Sequence, residues 1–127
     1  MTDKYYITTP IYYVNDKPHI GHAYTSVATD FIARFMRLKG HDVRFQTGTD
    51  EHGLKIQKAA ESKGKEPLEL CDENSRIFRD LTTTLDLSND DFIRTTEQRH
   101  IDGASFLWNR LHERNQIYLG EYTGWYS

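Results

Sequence analysis

The run Ile7-Thr8-Thr9-Pro10-Ile11-Tyr12-Tyr13-Val14, followed by Pro18-His19-Ile20-Gly21-His22 and then Ala23-Tyr24-Thr25-Ser26-Val27-Ala28, decides the fold. Its first part is β-branched and aromatic, which suits a strand. Its last part opens a series of apolar residues at Ile20, Tyr24, Val27, Phe31, Phe35 and Leu38, the spacing of one helical stripe. A strand therefore passes through a short turn at Asn15, Asp16 and Lys17 into a long helix. His19 and His22 fall on the same face of the first helical turn. Gly21 between them lets a ligand approach the backbone. A helix N-terminus already attracts anions, and two imidazole donors there suit a phosphate chain gaining negative charge. The same two histidines would also serve as plain capping residues, or as a fragment of a metal site.

Outward from this stretch, Pro10 predicts a strand end or bulge between Thr9 and Ile11, because proline cannot donate to a sheet ladder. The helix runs from about His19 to Lys39 and stops at Gly40. Two rows, Tyr24/Val27/Phe31 and Ala28/Ile32/Met36, predict a broad face packed on a sheet. Asp42 to Thr47 reads as a second strand, with Val43 and Phe45 on one face. Strand, helix, strand implies a crossover and a parallel sheet, hence an α/β fold. Gly48-Thr49-Asp50-Glu51-His52-Gly53 then reads as a second strand-to-helix turn, and ligands of open parallel sheets bind at such carboxyl ends. Asp50 and Glu51 could hold an ammonium group or position a metal, and His52 could meet a phosphate or ribose; a polar turn capping the next helix is the plainer alternative.

Leu54 to Lys63 predicts a short helix with Ile56, Ala59 and Ala60 inward, closed by Gly64. Pro67 opens another, with Leu70, Ile77, Phe78, Leu81 and Leu85 as its stripe and Cys71 beside it as a buried small hydrophobe. Phe92 to Thr95 is a short strand candidate. Thr95 with Gln98 resembles a capping box starting a helix with Ile101, Ala104, Leu107, Trp108 and Leu111 inward. From Ile117 the sequence is strand-like with glycine interruptions and stops without a cap or turn, so a continuation is expected.

The chain has 127 residues, a net charge of −3 and a single cysteine. That suffices for one modest domain with a real core. The charge excludes a global basic field for nucleic acid, and DNA is not expected as a partner. One cysteine excludes an internal disulfide and fits a reducing compartment. No apolar run reaches the roughly 18 residues of a membrane span, and the N-terminus lacks signal-peptide character, so a cytoplasmic protein with no membrane partner is expected.

These motifs together resemble the N-terminal part of the bacterial-type methionyl-tRNA synthetases, a class I aminoacyl-tRNA synthetase family. The resemblance runs through Tyr6 to Asn15, Pro18 to Tyr24, Gly48 to Gly53, Asp91 to Thr96, and Gly120 to Tyr126. His-Ile-Gly-His marks class I broadly; its combination with the Thr-Thr-Pro-Ile-Tyr-Tyr strand and the Asp-Glu-His-Gly loop is more specific. The resemblance implies the first half of a Rossmann-like domain over residues 1–115, with the start of a connective-peptide insertion over 116–127. It implies activation of methionine with ATP and Mg2+ to methionyl-adenylate, then transfer to tRNA(Met). His19 and His22 would contact the triphosphate and stabilise the charge on the attacked α-phosphate. Gly21 would admit adenine and ribose, with Tyr13 beside the adenylate. Ile11 and Tyr13 would line the methionine pocket, and Asp50 would bind the methionine amino group. Thr9, Pro10, Glu51 and His52 are possible additional site residues, and no metal ligand is expected. Ser127 stands where zinc-bearing relatives begin a cysteine pair, so zinc is not expected from this segment. The lysine-rich second ATP motif is absent, so these residues alone are expected to be inactive. Another class I synthetase, a His-x-Gly-His nucleotidyltransferase, and a non-catalytic nucleotide-binding fragment are the alternatives.

Overall fold

Pro10 interrupts the first strand as its missing N–H requires. A computed structural model, which describes residues 3–124, places β1 at Lys4–Thr8 and β2 at Tyr12–Tyr13, with Thr9-Pro10-Ile11 between them. α1 follows at Ile20–Leu38, then β3 at Asp42–Asp50, α2 at Leu54–Ser62, α3 at Pro67–Thr84, β4 at Asp91–Arg94 and α4 at Gln98–Glu113. The chain divides into two compact units, one ending at Glu97 and one beginning at Gln98.

In the first unit β3 is the central strand. Lys4 to Thr8 of β1 pair in parallel with Asp42 to Gln46, and Tyr12 and Tyr13 of β2 pair with Thr49 and Asp50. On the opposite flank, Asp91 to Arg94 of β4 pair in parallel with Gln46 to Thr49. The predicted parallel α/β arrangement is therefore present. β3 is longer than expected, however: Gly48-Thr49-Asp50 belongs to the strand, and only Glu51 to Gly53 form the turn. Pairing on both flanks holds these residues extended. Glycine at 48 makes that pairing possible, since a Cβ there would lie 2.0 Å from the Ile93 carbonyl oxygen and 2.6 Å from Ile93 Cγ2.

The core joins Tyr12, Val14, Ile56, Cys71 and Phe78, with Phe92 packed against it. Tyr12 stacks on Phe78 at 5.6 Å between ring centroids and shares a 3.0 Å hydrogen bond with Ser26 Oγ. Asn74 Nδ2 donates to the Val14 carbonyl. α2 and α3 match the expected spans within two residues, and Gly64 takes φ +64° between them.

α1 reverses the sequence expectation. Its buried residues are Ser26, Thr29, Asp30 and Ala33, and this small, polar face meets the sheet. The apolar row points away: Ile20, Phe31 and Leu38 are 85%, 71% and 88% exposed, and Tyr24, Val27, Ile32 and Phe35 are exposed as well. The physical reason is closeness. Small side chains let the helix lie near β1 and β3, while each buried polar atom finds a partner. Asp30 accepts from Arg34 Nε at 2.7 Å, and from the Ser88 amide and hydroxyl at 2.6 Å each. Burial by itself would raise the Asp30 carboxyl, but these donors outweigh it and hold it below the usual carboxylate range.

In the second unit, the residues expected to be inward on α4 (Ile101, Ala104, Leu107, Trp108 and Leu111) are all exposed. A single helix has no second layer to close on within that unit. Residues 117–124 form no strand, and Gly120 and Gly124 weaken extended structure there. The Thr95 hydroxyl, read from the sequence as part of a capping box, accepts from the Glu51 amide at 2.8 Å. The readings placed on Trp125 to Ser127, zinc included, lie outside the described residues.

Two measurements on the complete protein check this account. Gly48→Ala should lower stability by about 3 kcal/mol, the upper end for overpacking, because the obstructing atom is backbone. An unchanged denaturation midpoint would contradict the close approach of β3 and β4. Burial pushes the Cys71 thiol up to about 11, with the Glu51 charge adding to it. At pH 8 only about one thiol in a thousand is then ionised, so the native protein should react with a thiol reagent at least about 100-fold more slowly than the unfolded chain. Equal rates would place Cys71 at an accessible surface.

Candidate active site at the start of α1

His19 occupies the N-cap of α1 in extended conformation, φ −121° and ψ 176°. Its ring folds back over the helix, where Nδ1 accepts the Gly21 amide at 3.1 Å. The His22 ring returns the interaction: its Nδ1 accepts the His19 amide at 3.0 Å. This is a capping box in which both side chains are imidazoles. Gly21 has a reason the sequence did not show, since a Cβ there would sit 2.9 Å from His19 Cε1 and 3.0 Å from its Nδ1.

The cap determines the chemistry. A ring nitrogen that accepts an amide proton carries none itself, so each neutral imidazole holds its proton on Nε2. The Gly21 amide goes to His19 Nδ1, and the His22 and Ala23 amides turn back to the His19 carbonyl. The exposed donors at this helix end are therefore two Nε2–H groups more than free backbone amides. The rings lie 3.8 Å apart between centroids. His22 is also wedged edge-on against Tyr12 at 4.9 Å and Phe78 at 5.1 Å. Burial lowers its pKa, and the neighbouring His19 lowers it further, which keeps the ring neutral near pH 7.

A cleft of about 430 Å³ opens in front of these rings, lined by Ile11, Tyr12, Tyr13, Asn15, Asp16, Lys17, His19 and His22. The site residues read from the sequence on β2 and at the start of α1 thus come together. Ile11 and Tyr13 are exposed there, while Tyr12 turns into the core. Asp50 joins this end of the sheet through its pairing with Tyr13. It is half-buried, accepts the His52 amide at 3.2 Å through Oδ1, and has no cationic partner among the described residues.

The additional candidates fall elsewhere. The Thr9 hydroxyl is buried, 2.6 Å from Thr47 Oγ1, and Pro10 is exposed in the strand break. His52 is exposed and lines a different cleft with Gly53, Gln57, Glu61 and Lys65. Glu51 has a fully buried side chain, bound at both oxygens by Arg94. Burial by itself would raise its carboxyl, but bonds from Arg94, Thr96 and Thr49 outweigh this and lower it. No cluster of possible metal ligands occurs among the described residues. Sequence reasoning passed over Arg94 and Ser26. A carboxylate at the end of a central strand needs a cation, and that signal pointed to Arg94 on the neighbouring strand.

The chain is 60% identical over its whole length to the methionine--tRNA ligase of Rickettsia bellii, of which it covers 25%. It is 55% identical, over 97% of its residues, to a mitochondrial methionine--tRNA ligase of Takifugu rubripes, of which it covers 21%. The solved Mycobacterium tuberculosis methionyl-tRNA synthetase in complex with methionyl-adenylate superposes with a TM-score of 0.91 at 49% identity, over 99% of this chain and 25% of that one. The chain thus spans about a quarter of the length of the relatives it matches. The family model described as tRNA synthetases class I (M) matches residues 5–127, and the chain belongs to that family.

Proposed function

We propose that this chain is part of an enzyme that activates methionine with ATP and transfers it to tRNA(Met). The observation that carries the proposal is the pair of Nε2–H donors fixed by reciprocal capping at one end of a cleft that Tyr13 also lines, with Asp50, which has no cationic partner among the described residues, on the next strand beside Tyr13. In this reading the methionine carboxylate attacks the α-phosphorus of ATP. A carboxylate oxygen–phosphorus bond forms, the bond from that phosphorus to the β-phosphate bridging oxygen breaks, and pyrophosphate leaves. The attacking group belongs to the substrate, so the protein supplies position and charge stabilisation. His19 and His22 donate to the phosphate oxygens as negative charge grows there. Asp50 pairs with the methionine ammonium, and Ile11 and Tyr13 border the methionine side chain and adenylate, with Gly21 giving room at the helix start. Mg2+ enters as the companion of ATP. Residues 1–115 form the first half of the Rossmann-like catalytic domain in this scheme, with 116–127 opening an insertion, and protein synthesis in the cytoplasm is the setting the activity implies.

Two substitutions in the complete enzyme test the roles by methionine-dependent pyrophosphate exchange. His22→Ala should reduce kcat by about 100- to 1,000-fold, the effect of losing one transition-state donor, with methionine KM changing little. A normal kcat with a raised KM would overturn that role. Asp50→Asn should instead raise methionine KM by about 10- to 150-fold, corresponding to about 1.5–3 kcal/mol for a hydrogen bond to a charged group. Unaltered methionine affinity would leave Asp50 as the last residue of β3, serving only to accept the His52 amide.

A further inference from the structure

A network that the proposed mechanism does not use grips the turn after Asp50. The buried Glu51 carboxylate takes Arg94 Nε on Oε1 at 2.7 Å and Arg94 Nη2 on Oε2 at 2.9 Å. Thr49 Oγ1 adds a bond to Oε1 at 2.9 Å, and Thr96 Oγ1 adds one to Oε2. Arg94 is itself steadied by Asp72, 2.5 Å from Nη2. Main chain and side chain are pinned together: Thr95 Oγ1 accepts the Glu51 amide at 2.8 Å and lies 3.0 Å from His52 Nδ1, while the Thr95 amide donates to the Thr49 carbonyl at 3.2 Å. Asp50 sits between two clamped residues, Thr49 and Glu51, and its own Oδ1 is tied to the His52 amide.

A two-point guanidinium–carboxylate contact fixes direction as well as distance. A buried ion pair is weak evidence for stability, because desolvation offsets much of its attraction. What this pair does achieve is a fixed end to β3, one residue from the Asp50 carboxylate, whose backbone pairs with Tyr13 at the border of the cleft. We infer that Arg94 is a positioning residue for the amino-group site: by its two-point hold on Glu51 it sets the direction in which Asp50 leaves the sheet. The inference rests on the reading of Asp50 as the partner of the substrate ammonium.

The test is a double-mutant cycle in the complete enzyme, with Arg94→Lys, Asp50→Asn and the double variant, read by the KM values of methionine and ATP. Lysine keeps the charge but cannot make the forked contact. Arg94→Lys alone should raise methionine KM by about 10- to 100-fold, as a small misplacement of a binding group does, and leave ATP KM within about twofold. In the Asp50→Asn background the same substitution should change methionine KM by no more than about twofold, because the group it positions is already gone. Equal effects in both backgrounds, a methionine KM at the unsubstituted value, or a parallel rise in ATP KM would each overturn the inference while leaving the role of Asp50 intact. The role of Asp50 is judged separately: if Asp50→Asn alone leaves methionine KM unchanged, that reading fails and the inference with it. Should Arg94→Lys not fold, the cycle is run with Glu51→Gln, which preserves the buried shape and carries the same expectations.

Discussion

Over its second half β3 has a hydrogen-bonded neighbour on each flank, and the rest of the first unit depends on that constraint. Strands in such a position must be covered on both faces. Accordingly Phe45 is buried, and Thr47, Gly48 and Thr49 are buried in succession. The spacing to β4 tolerates no side chain at position 48, where the Ile93 carbonyl fills the space. That close approach brings Arg94 beside Glu51, and the opposite flank brings Tyr13 beside Asp50. A packing requirement in the middle of the sheet therefore sets the geometry of groups at its edge.

α1 meets a different pair of demands. It must lie close to the sheet so that Ser26 can reach Tyr12, and it must neutralise the polar atoms that this closeness buries. Asp30 does the second task, gathering Arg34 and Ser88 and so tying the helix to the loop that precedes β4. Among the described residues no buried side-chain polar atom lacks a partner. The apolar row from Ile20 to Leu38 is left on the outer side, a surface of the kind that proteins ordinarily cover.

Periodicity and turn chemistry made most of the fold legible. Pro10 marked the break between β1 and β2, Gly40 and Gly64 marked helix ends, and Pro67 opened α3. The order of strand, helix and strand implied parallel pairing before any register was known. Which face of α1 turns inward was not legible, because an apolar stripe records that a face is buried somewhere but not against what. The same limit applies to α4, whose Leu107 and Trp108 are exposed. At the site, His19, His22 and Asp50 stood out by residue type and spacing. Their atomic roles did not, since the capping by Nδ1 depends on backbone angles that no spacing rule encodes. Glu51 and Asp50 are adjacent and chemically alike, yet only burial against Arg94 separates their environments.

The reciprocal imidazole cap also limits how this region can vary through evolution. Each ring serves two customers at once, accepting from a backbone amide on one nitrogen and presenting a proton on the other. Serine or aspartate would cap the helix but offer no donor at the same distance on the far side; lysine would offer a charge but could accept nothing. Protonation of a ring would convert its accepting nitrogen into a donor and turn the cap against itself. On the proposed role of the two Nε2–H donors, helix cap and donor would then depend on the same two rings, so that a substitution sparing one task would lose the other.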